Sequence, residues 1–394
     1  MSADPIVIAG YARTPMGSFQ GALSSLKATE LGSFAVRAAI ERSGIAGSEV
    51  GRIYMGCVLP AALGQAPARQ AALGAGLPES VQATTVNKMC GSGMQAAIMA
   101  VEALQAGAVE VVLAGGMESM TNAPYALGKH RSGARIGHDR IIDTMMMDGL
   151  EDAYSPGKPM GAFAQDTADD YQFTREMQDA FALRSLERAR SAISSGAFAD
   201  EIVAVEVKTR TGTVTISTDE QPGLAKPEKI PSLKPAFAQD GTITAASSAS
   251  ISDGAAALVL TRESKASQLG VTPIARVVGC AAHAHAPALF TTAPVKAIET
   301  LLEQIGWSVD DVDLFEVNEA FAAVAMIAAK DLRIPDDKIN VNGGATALGH
   351  PIGASGARII ATLLAALERS GGRRGVASLC IGGGEATAMA FELI

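Results

Sequence analysis

Val81-Gln82-Ala83-Thr84-Thr85-Val86-Asn87-Lys88-Met89-Cys90-Gly91-Ser92-Gly93-Met94 is a β-rich run that passes through a short polar link into a helix. That helix carries Met94, Ala96, Ala97, Ile98, Met99, Val101, Ala103 and Leu104, so it is apolar nearly all round and belongs inside a domain rather than on its surface. Cys90 therefore falls at a strand-to-helix corner. Free N–H groups and the positive end of the helix dipole would favour an anion there, which predicts that Cys90 ionises more readily than an ordinary cysteine. Gly91 and Gly93 allow a substrate or another backbone to come close. A cysteine in apolar surroundings is otherwise read as a buried structural thiol; the corner and its glycines favour a reactive one.

Working outward, residues 5–9 form a first strand, Ala12-Arg13-Thr14-Pro15 a turn, and residues 29–43 a helix closed by Gly44. A strand at 50–58 and a glycine-interrupted helix near 65–73 lead to the Cys90 unit. A strand at 109–114 follows it and runs into Gly115-Gly116-Met117-Glu118. Alternating strands and helices indicate an α/β sheet covered on both faces. From 119 to about 250 prolines, glycines and charges rise, Met145-Met146-Met147 run together, and helical segments at 163–171 and 175–195 carry Arg and Glu. This segment is an insertion, of the kind that caps a site or builds an oligomer contact. The methionine run suits either a substrate-lining patch or a subunit interface.

Strand signals return at 255–260. The last third repeats the rhythm with a strand at 274–279, a helix at 294–305, a strand at 312–317, a helix at 320–332, and further structure from 339. The division is 1–119 with 251–270, an inserted 120–250, and 271–394. A repeat is legible as well: Ser92-Gly93 opens a helix leading to Val111-Val112-Leu113-Ala114-Gly115-Gly116-Met117-Glu118, and Ser355-Gly356 opens one leading to Ala377-Ser378-Leu379-Cys380-Ile381-Gly382-Gly383-Gly384-Glu385. Duplicated α/β halves place a site where loops at corresponding strand ends meet, which puts Cys90 and the loops of the last third in one cleft.

A chain of 394 residues, 48% of them hydrophobic, can build two or three domains with large cores. A net charge of −9 without a basic block argues against nucleic-acid or anionic-membrane partners. No stretch approaches a membrane span, and residues 1–10 lack a basic, cleavable leader, so a cytoplasmic protein is expected. Cys57, Cys90, Cys280 and Cys380 are scattered without a C-x-x-C pair, which predicts reduced thiols and neither zinc knuckle nor disulfide framework.

Four stretches place reactive or polar side chains among exposed backbone N–H groups: Cys90-Gly91-Ser92-Gly93, Asn318-Glu319-Ala320-Phe321, Gly349-His350-Pro351-Ile352-Gly353 and Cys380-Ile381-Gly382-Gly383-Gly384. A thiol with an imidazole base is a nucleophile for acyl transfer, and His350 alone of the five histidines lies in a glycine-rich turn beside a helix start. A second thiol, Cys380, has a use where a proton moves to or from a carbon beside a carbonyl. Glycine-rich loops and the Asn318 amide can supply oxyanion holes.

These blocks, from Asn87 to Ala96, Asn318 to Ala322, Asn342-Gly343-Gly344-Ala345 on to Arg358, and Leu379 to Gly384, resemble in order those of thiolases, and the likeness runs from Ala12 to the C-terminus. It implies a duplicated βαβαβαββ core of five layers with an inserted loop domain, and a ping-pong reaction on coenzyme A thioesters. By that resemblance Cys90 takes the acyl group, His350 activates it and Cys380 is the acid/base on the second substrate. Asn318 would hold a water that stabilises the enolate with His350, and the N–H groups of Cys90 and Gly382 would form the other oxyanion hole. Met160, Ser248, Ala249, Ser250, Ala320 and Phe321 become substrate-side contacts, and Lys226 and Lys229 candidates for the coenzyme phosphates, although they also suit solvated surface, as Lys234 does.

Where acetoacetyl-forming members carry His-Met-Gly, this chain has Pro159-Met160-Gly161, and a serine that contacts the pantetheine arm is here Ala249. The implied activity is acetyl-CoA C-acetyltransferase. The alternatives are a broader degradative 3-ketoacyl-CoA thiolase and a non-catalytic acyl-CoA or lipid-binding relative; a ketoacyl synthase has no place for Cys380. A homotetramer built as a dimer of dimers is implied, as is the absence of a resident cofactor, the thioester being substrate. His283-Ala284-His285 has metal-ligand types at strand spacing but no acidic or cysteine companions, and no metal is expected. Cys57 and Cys280 are expected in the core.

Overall fold

The computed structural model describes residues 4–394. The first half comprises β1 (Ile6–Arg13), α1 (Ala28–Ser43), β2 (Arg52–Gly56), α2 (Pro67–Gly74), β3 (Gln82–Val86), α3 (Ser92–Gln105), β4 (Val111–Ser119) and, after a long excursion, β5 (Ser252–Arg262). Within the excursion lie α4 (Met160–Asp170) and α5 (Arg175–Ser194). The second half comprises β6 (Ala275–Ala284), α6 (Ala293–Ile305), β7 (Leu314–Val317), α7 (Ala322–Leu332), α8 (Ser355–Ser370), β8 (Arg374–Ile381) and β9 (Glu385–Leu393).

The duplication seen in the sequence is written into the sheet, whose strands run β7-β8-β9-β6-β1-β5-β4-β2-β3. Outward from the antiparallel β1–β6 junction, where Val7 faces Arg276, the first half reads β1, β5, β4, β2, β3 and the second β6, β9, β8, β7. In both halves the two inner pairings are antiparallel and the next is parallel. The fifth position of the second half is a single bridge, Phe315 to Ile339, rather than a full strand.

Side-chain alternation explains the layering. Val112, Ala114, Leu258 and Leu260 point to one face, where they meet α3 and α8 together with Leu314, Ala377, Leu379, Met389 and Phe391 of the other half. Val111, Leu113, Ala257 and Val259 point the opposite way, under α1 and α2. Phe315, Val317, Val376 and Ala388 likewise pack beneath α6 and α7. The five layers are therefore helix, sheet, helix, sheet, helix, with α3 and α8 in the middle. Fully buried Leu104, Ile359, Ile360 and Leu364 each contribute about 1.5–3 kcal/mol there.

The chain leaves the sheet after Ser119 and rejoins it at Ser252. The excursion is pinned to the core by fully buried Arg13 at the end of β1. Its Nε donates to Glu201 (2.7 Å) and its two Nη atoms to the Asp219 carboxylate (2.6 and 2.8 Å).

Candidate active site

β3 ends at Val86, and Met89 then takes a left-handed conformation (φ 48°), uncommon for a side-chain-bearing residue, to turn Cys90 out of the strand path. The corner is closed by its own backbone. Gly91 N–H donates to the Lys88 carbonyl (3.0 Å), Ser92 N–H to the Met89 carbonyl (3.0 Å), and Lys88 N–H to Ser92 Oγ (2.8 Å). Two N–H groups expected to be free for Cys90 are thus already used. Burial pushes the Cys90 thiol up to about 11, opposed by the N–H groups of Gly382 and of Cys90 itself. The expectation of easier ionisation is overturned: desolvation outweighs the helix terminus, and at neutral pH Cys90 is a thiol that requires a base.

His350 lines the same pocket as Cys90. Its N–H donates to the Ser250 carbonyl (3.1 Å), and its Nδ1 lies 2.6 Å from Ser355 Oγ at the start of α8. Ser355 gives its one hydrogen to the Pro351 carbonyl (3.0 Å), so it accepts from Nδ1–H. The Nε2 lone pair is then bare, and Nε2 is buried with no partner. Burial first, then the charge of Arg358, holds the imidazole down to about 3. His350 is therefore neutral across the physiological range.

Asn318 follows β7 directly and is anchored by its N–H to the Ser378 carbonyl (3.0 Å). The neighbouring Glu319 fastens this loop to the excursion and to the turn before His350, accepting from Ser185 Oγ (2.7 Å), Asn340 Nδ2 (2.9 Å) and Thr346 Oγ1 (2.6 Å). Cys380 lies near the end of β8, buried, its thiol held well above the ordinary value by desolvation and then by the nearby Cys90. Gly91 makes room for Ile381, whose Cδ1 would lie 2.3 Å from a Cβ at that position.

Cys90, His350, Gly382, Met160, Ala249, Ser250, Ala320 and Phe321 line one apolar pocket with about 80 Å³ open to a water-sized sphere. Cys380 and Asn318 are not among its lining residues, although their chain neighbours Gly382 and Ala320 are. Ser248, Lys226 and Lys229 line a second cavity of about 340 Å³, and Ser250 is common to both. Sequence reasoning missed the walls Met120, Leu150 and Phe290, which carry no signal beyond being apolar, and quoted Ile352 within the His350 stretch without naming it as a wall. It also missed Glu118 as a site residue. The signal available was a carboxylate ending an apolar strand. Glu118, fully buried, accepts from the N–H groups of Val58 (2.9 Å), Leu59 (3.1 Å) and Gly353 (2.9 Å), tying the loop after β2 to the one after His350. Burial pushes its carboxyl up to about 7 against those bonds.

None of Met145, Met146 and Met147 lines the central pocket; Met145 packs with Ile352 and Met120, and Met147 is 56% exposed. Pro159 caps α4 and leaves Met160 as the pocket wall. Cys57 is buried, hydrogen-bonded to Glu118, whereas Cys280 is only half-buried. The His283 and His285 rings lie 5.0 Å apart on one face. Among the described residues no group of three potential ligands could hold a metal, and no helix is long and apolar enough to cross a membrane.

A buried thiol beside a neutral imidazole, with backbone N–H groups on the sulfur and a second thiol nearby, is the equipment of an acyl-transferring α/β enzyme. The family models for the thiolase N-terminal and C-terminal domains match residues 6–264 and 271–393, and the chain belongs to the thiolase family. It is 49% identical over 392 residues to acetyl-CoA acetyltransferase 2 of Arabidopsis thaliana, covering 99% of this chain and 97% of that protein. It is 47% identical to the acetyl-CoA acetyltransferase of Rhizobium meliloti over the whole of both. The crystal structure of the Bacillus anthracis acetyl-CoA acetyltransferase superposes with a TM-score of 0.96 at 41% identity, covering 100% of this chain and 99% of that one. An Ascaris suum thiolase in complex with coenzyme A superposes with a TM-score of 0.94 at 41% identity, covering 99% and 100%. The protein is an acyltransferase.

Proposed function

We propose that this chain is an acetyl-CoA C-acetyltransferase, joining two acetyl-CoA molecules to acetoacetyl-CoA and coenzyme A, and running the thiolytic reverse. In the first half-reaction His350 Nε2 takes the Cys90 proton as Sγ attacks the thioester carbonyl. The oxyanion is met by the N–H groups of Cys90 and Gly382, and the proton leaves with coenzyme A as its thiol. In the second, Cys380 passes its proton to His350 and, as thiolate, takes an α-proton from the next acetyl-CoA. The resulting enolate, held by a water on Asn318 and by protonated His350, attacks the acetyl group on Cys90. The Cys90 sulfur leaves and recovers the proton from His350, and Cys380 is a thiol again.

The pocket's size carries the acetyl assignment: about 80 Å³ between Cys90, Phe321, Met160 and Ile352 admits a short acyl group and few further carbons. The names of the relatives support the same substrate. The adjoining cavity with Lys226 and Lys229 suits the coenzyme arm and its phosphates. The same reading carries the three-part division at 1–119 with 251–270, 120–250 and 271–394. It also carries a cytoplasmic location suited to four free thiols, catalysis without a resident cofactor, and a homotetramer supported by exposed Tyr125, Ile136, Ile141 and Tyr154 on the excursion. Light scattering at working concentration checks the assembly, and a monomer peak removes it.

The deciding experiment is thiolysis across a ladder of 3-ketoacyl-CoA lengths. Acetoacetyl-CoA is expected to be cleaved best. Equal or rising rates with longer chains would make the protein a broad degradative thiolase. Coenzyme A binding without turnover or acetyl-Cys90 would make it a non-catalytic relative.

A further inference from the structure

We propose that Arg358 is a positioning residue for the condensing step, fixing the Asn318 side-chain amide so that its NH2 group faces the reacting atoms. The inference rests on the reaction proposed above. Arg358 is only 1% exposed and stands in the first turn of α8, three residues after Ser355, so both side chains leave the helix on one face. Ser355 holds His350. Arg358 reaches the end of β7, where Glu316 and Asn318, two apart, project to the same side. Its Nη1 donates to Glu316 Oε1 (3.0 Å) and its Nη2 to Asn318 Oδ1 (3.3 Å).

A guanidinium has donors and no acceptor, so it can face only the oxygen of the amide. Asn318 Nδ2 must then point away from it, and Nδ2 is buried without a protein partner, as His350 Nε2 is. One helical turn thus aims two orphaned polar atoms: the imidazole through Ser355 and the amide through Arg358. An amide free to flip would present its carbonyl to the enolate and repel it. Glu316 is a buried ion-pair partner of the guanidinium, its own carboxyl raised by burial against the pull of Arg358. The charge of Arg358 is the second cause, after desolvation, of the low basicity of His350.

The test separates the half-reactions in the full-length enzyme. Acetylation of Cys90 by acetyl-CoA is followed by intact mass, and exchange of acetyl α-protons with deuterated solvent by NMR. Arg358→Met, similar in length but without donors, is expected to acetylate within a few-fold of wild type while losing α-proton exchange and condensation by about 10²-fold, the scale of one misplaced oxyanion donor. Arg358→Lys should recover part of the exchange. Asn318→Ala should lose as much as Arg358→Met, and combining the two should lose little more, because they act as one unit. Because Arg358→Met strands a buried Glu316, the pair Glu316→Gln with Arg358→Met is measured beside it.

Exchange at the wild-type rate in either Arg358→Met protein overturns the inference. Equal loss of acetylation and exchange in both proteins, with a lowered Tm, also overturns it, since that is a purely structural role. Wild-type enzyme that neither acetylates nor exchanges overturns the reaction itself, and the Arg358 inference with it.

Discussion

Gly93 and Gly356 each occupy the space that the other helix's backbone requires: a Cβ on Gly356 would fall 2.3 Å from the Met94 nitrogen, and one on Gly93 2.8 Å from the Ala357 nitrogen. They are the second residues of α3 and α8, the central helices of the two halves. Their contact holds the Cys90 corner against the turn that orients His350. Gly356→Ala should therefore destabilise the protein at the upper end of the about 1–3 kcal/mol typical of overpacking, because the obstructing atoms are backbone. Urea unfolding monitored by circular dichroism checks this, with Gly371→Ala, which meets nothing within 4 Å but has a positive φ, as a control for backbone strain alone.

Those two glycines also show what the sequence made legible. Ser92-Gly93 and Ser355-Gly356 were visible as a repeat, and the repeat carries the doubled strand order and the layering. That Cys90, His350 and Gly382 share one pocket was legible because glycine-rich loops at strand ends are local features. What escaped depends on distance in the chain. Glu118 meets Gly353 across 235 residues, and Arg358 meets Asn318 across 40. Neither pairing leaves a trace in local periodicity. The ionisation of Cys90 was misread because a corner reveals a helix start but not how deeply the sulfur is buried, nor that Lys88 and Met89 carbonyls engage the first N–H groups.

The neutral resting pair has a direct consequence. With the Cys90 thiol raised to about 11 and His350 lowered to about 3, thiolate accumulates only as pH rises toward 11. Alkylation of Cys90 by iodoacetamide, read by peptide mass, should keep rising through pH 9 without a plateau. A plateau between pH 5 and 7 would indicate a resting thiolate–imidazolium pair and contradict this assignment. Cys90→Ala should abolish both alkylation at this site and acetyl labelling from acetyl-CoA.

Glu118 makes stability depend on pH with a definite sign. Its folded carboxyl is raised from 4.5 to about 7, so between these values the folded state binds more protons than the unfolded state, and stability falls as pH rises. Full ionisation corresponds to a loss of about 3 kcal/mol. Glu118→Gln removes this dependence. The stability of wild type relative to the variant should therefore decline from pH 4.5 to 7 and level above it, in urea titrations at a series of pH values. Activity of the variant should drop as well, because an amide cannot accept from all three N–H groups that hold the loop after His350.

Cys380→Ser separates the roles of the two thiols. Serine keeps the shape but is a far weaker acid, so α-proton exchange and condensation should slow by about 10²–10⁴-fold while acetylation of Cys90, which moves no proton from carbon, persists. Exchange at the wild-type rate, or a protein that cannot be acetylated, would show that Cys380 does not act on the α-carbon.

Met160 stands between the central pocket and a larger neighbouring cavity. Its side chain lies over Gly382, with Cε 3.7 Å and Sδ 3.8 Å from where a Cβ of that glycine would stand. Met89, Met160 and Gly382 line both the central pocket of about 80 Å³ and a neighbouring cavity of about 510 Å³ that extends past Met147 and Tyr154. Truncating the thioether in Met160→Ala should join the two spaces in line with the acyl group on Cys90. Each methylene that gains an apolar site is worth about 1–3 kcal/mol in discrimination, so kcat/KM for a six-carbon 3-ketoacyl-CoA should rise at least tenfold relative to acetoacetyl-CoA. Binding of the coenzyme itself should be unaffected, because Met160 does not line the cavity holding Lys226 and Lys229. If the variant lost activity on both substrates in proportion, Met160 would be supporting Gly382 rather than limiting chain length, and the acyl chain would have to run along Phe321 and Phe290 instead.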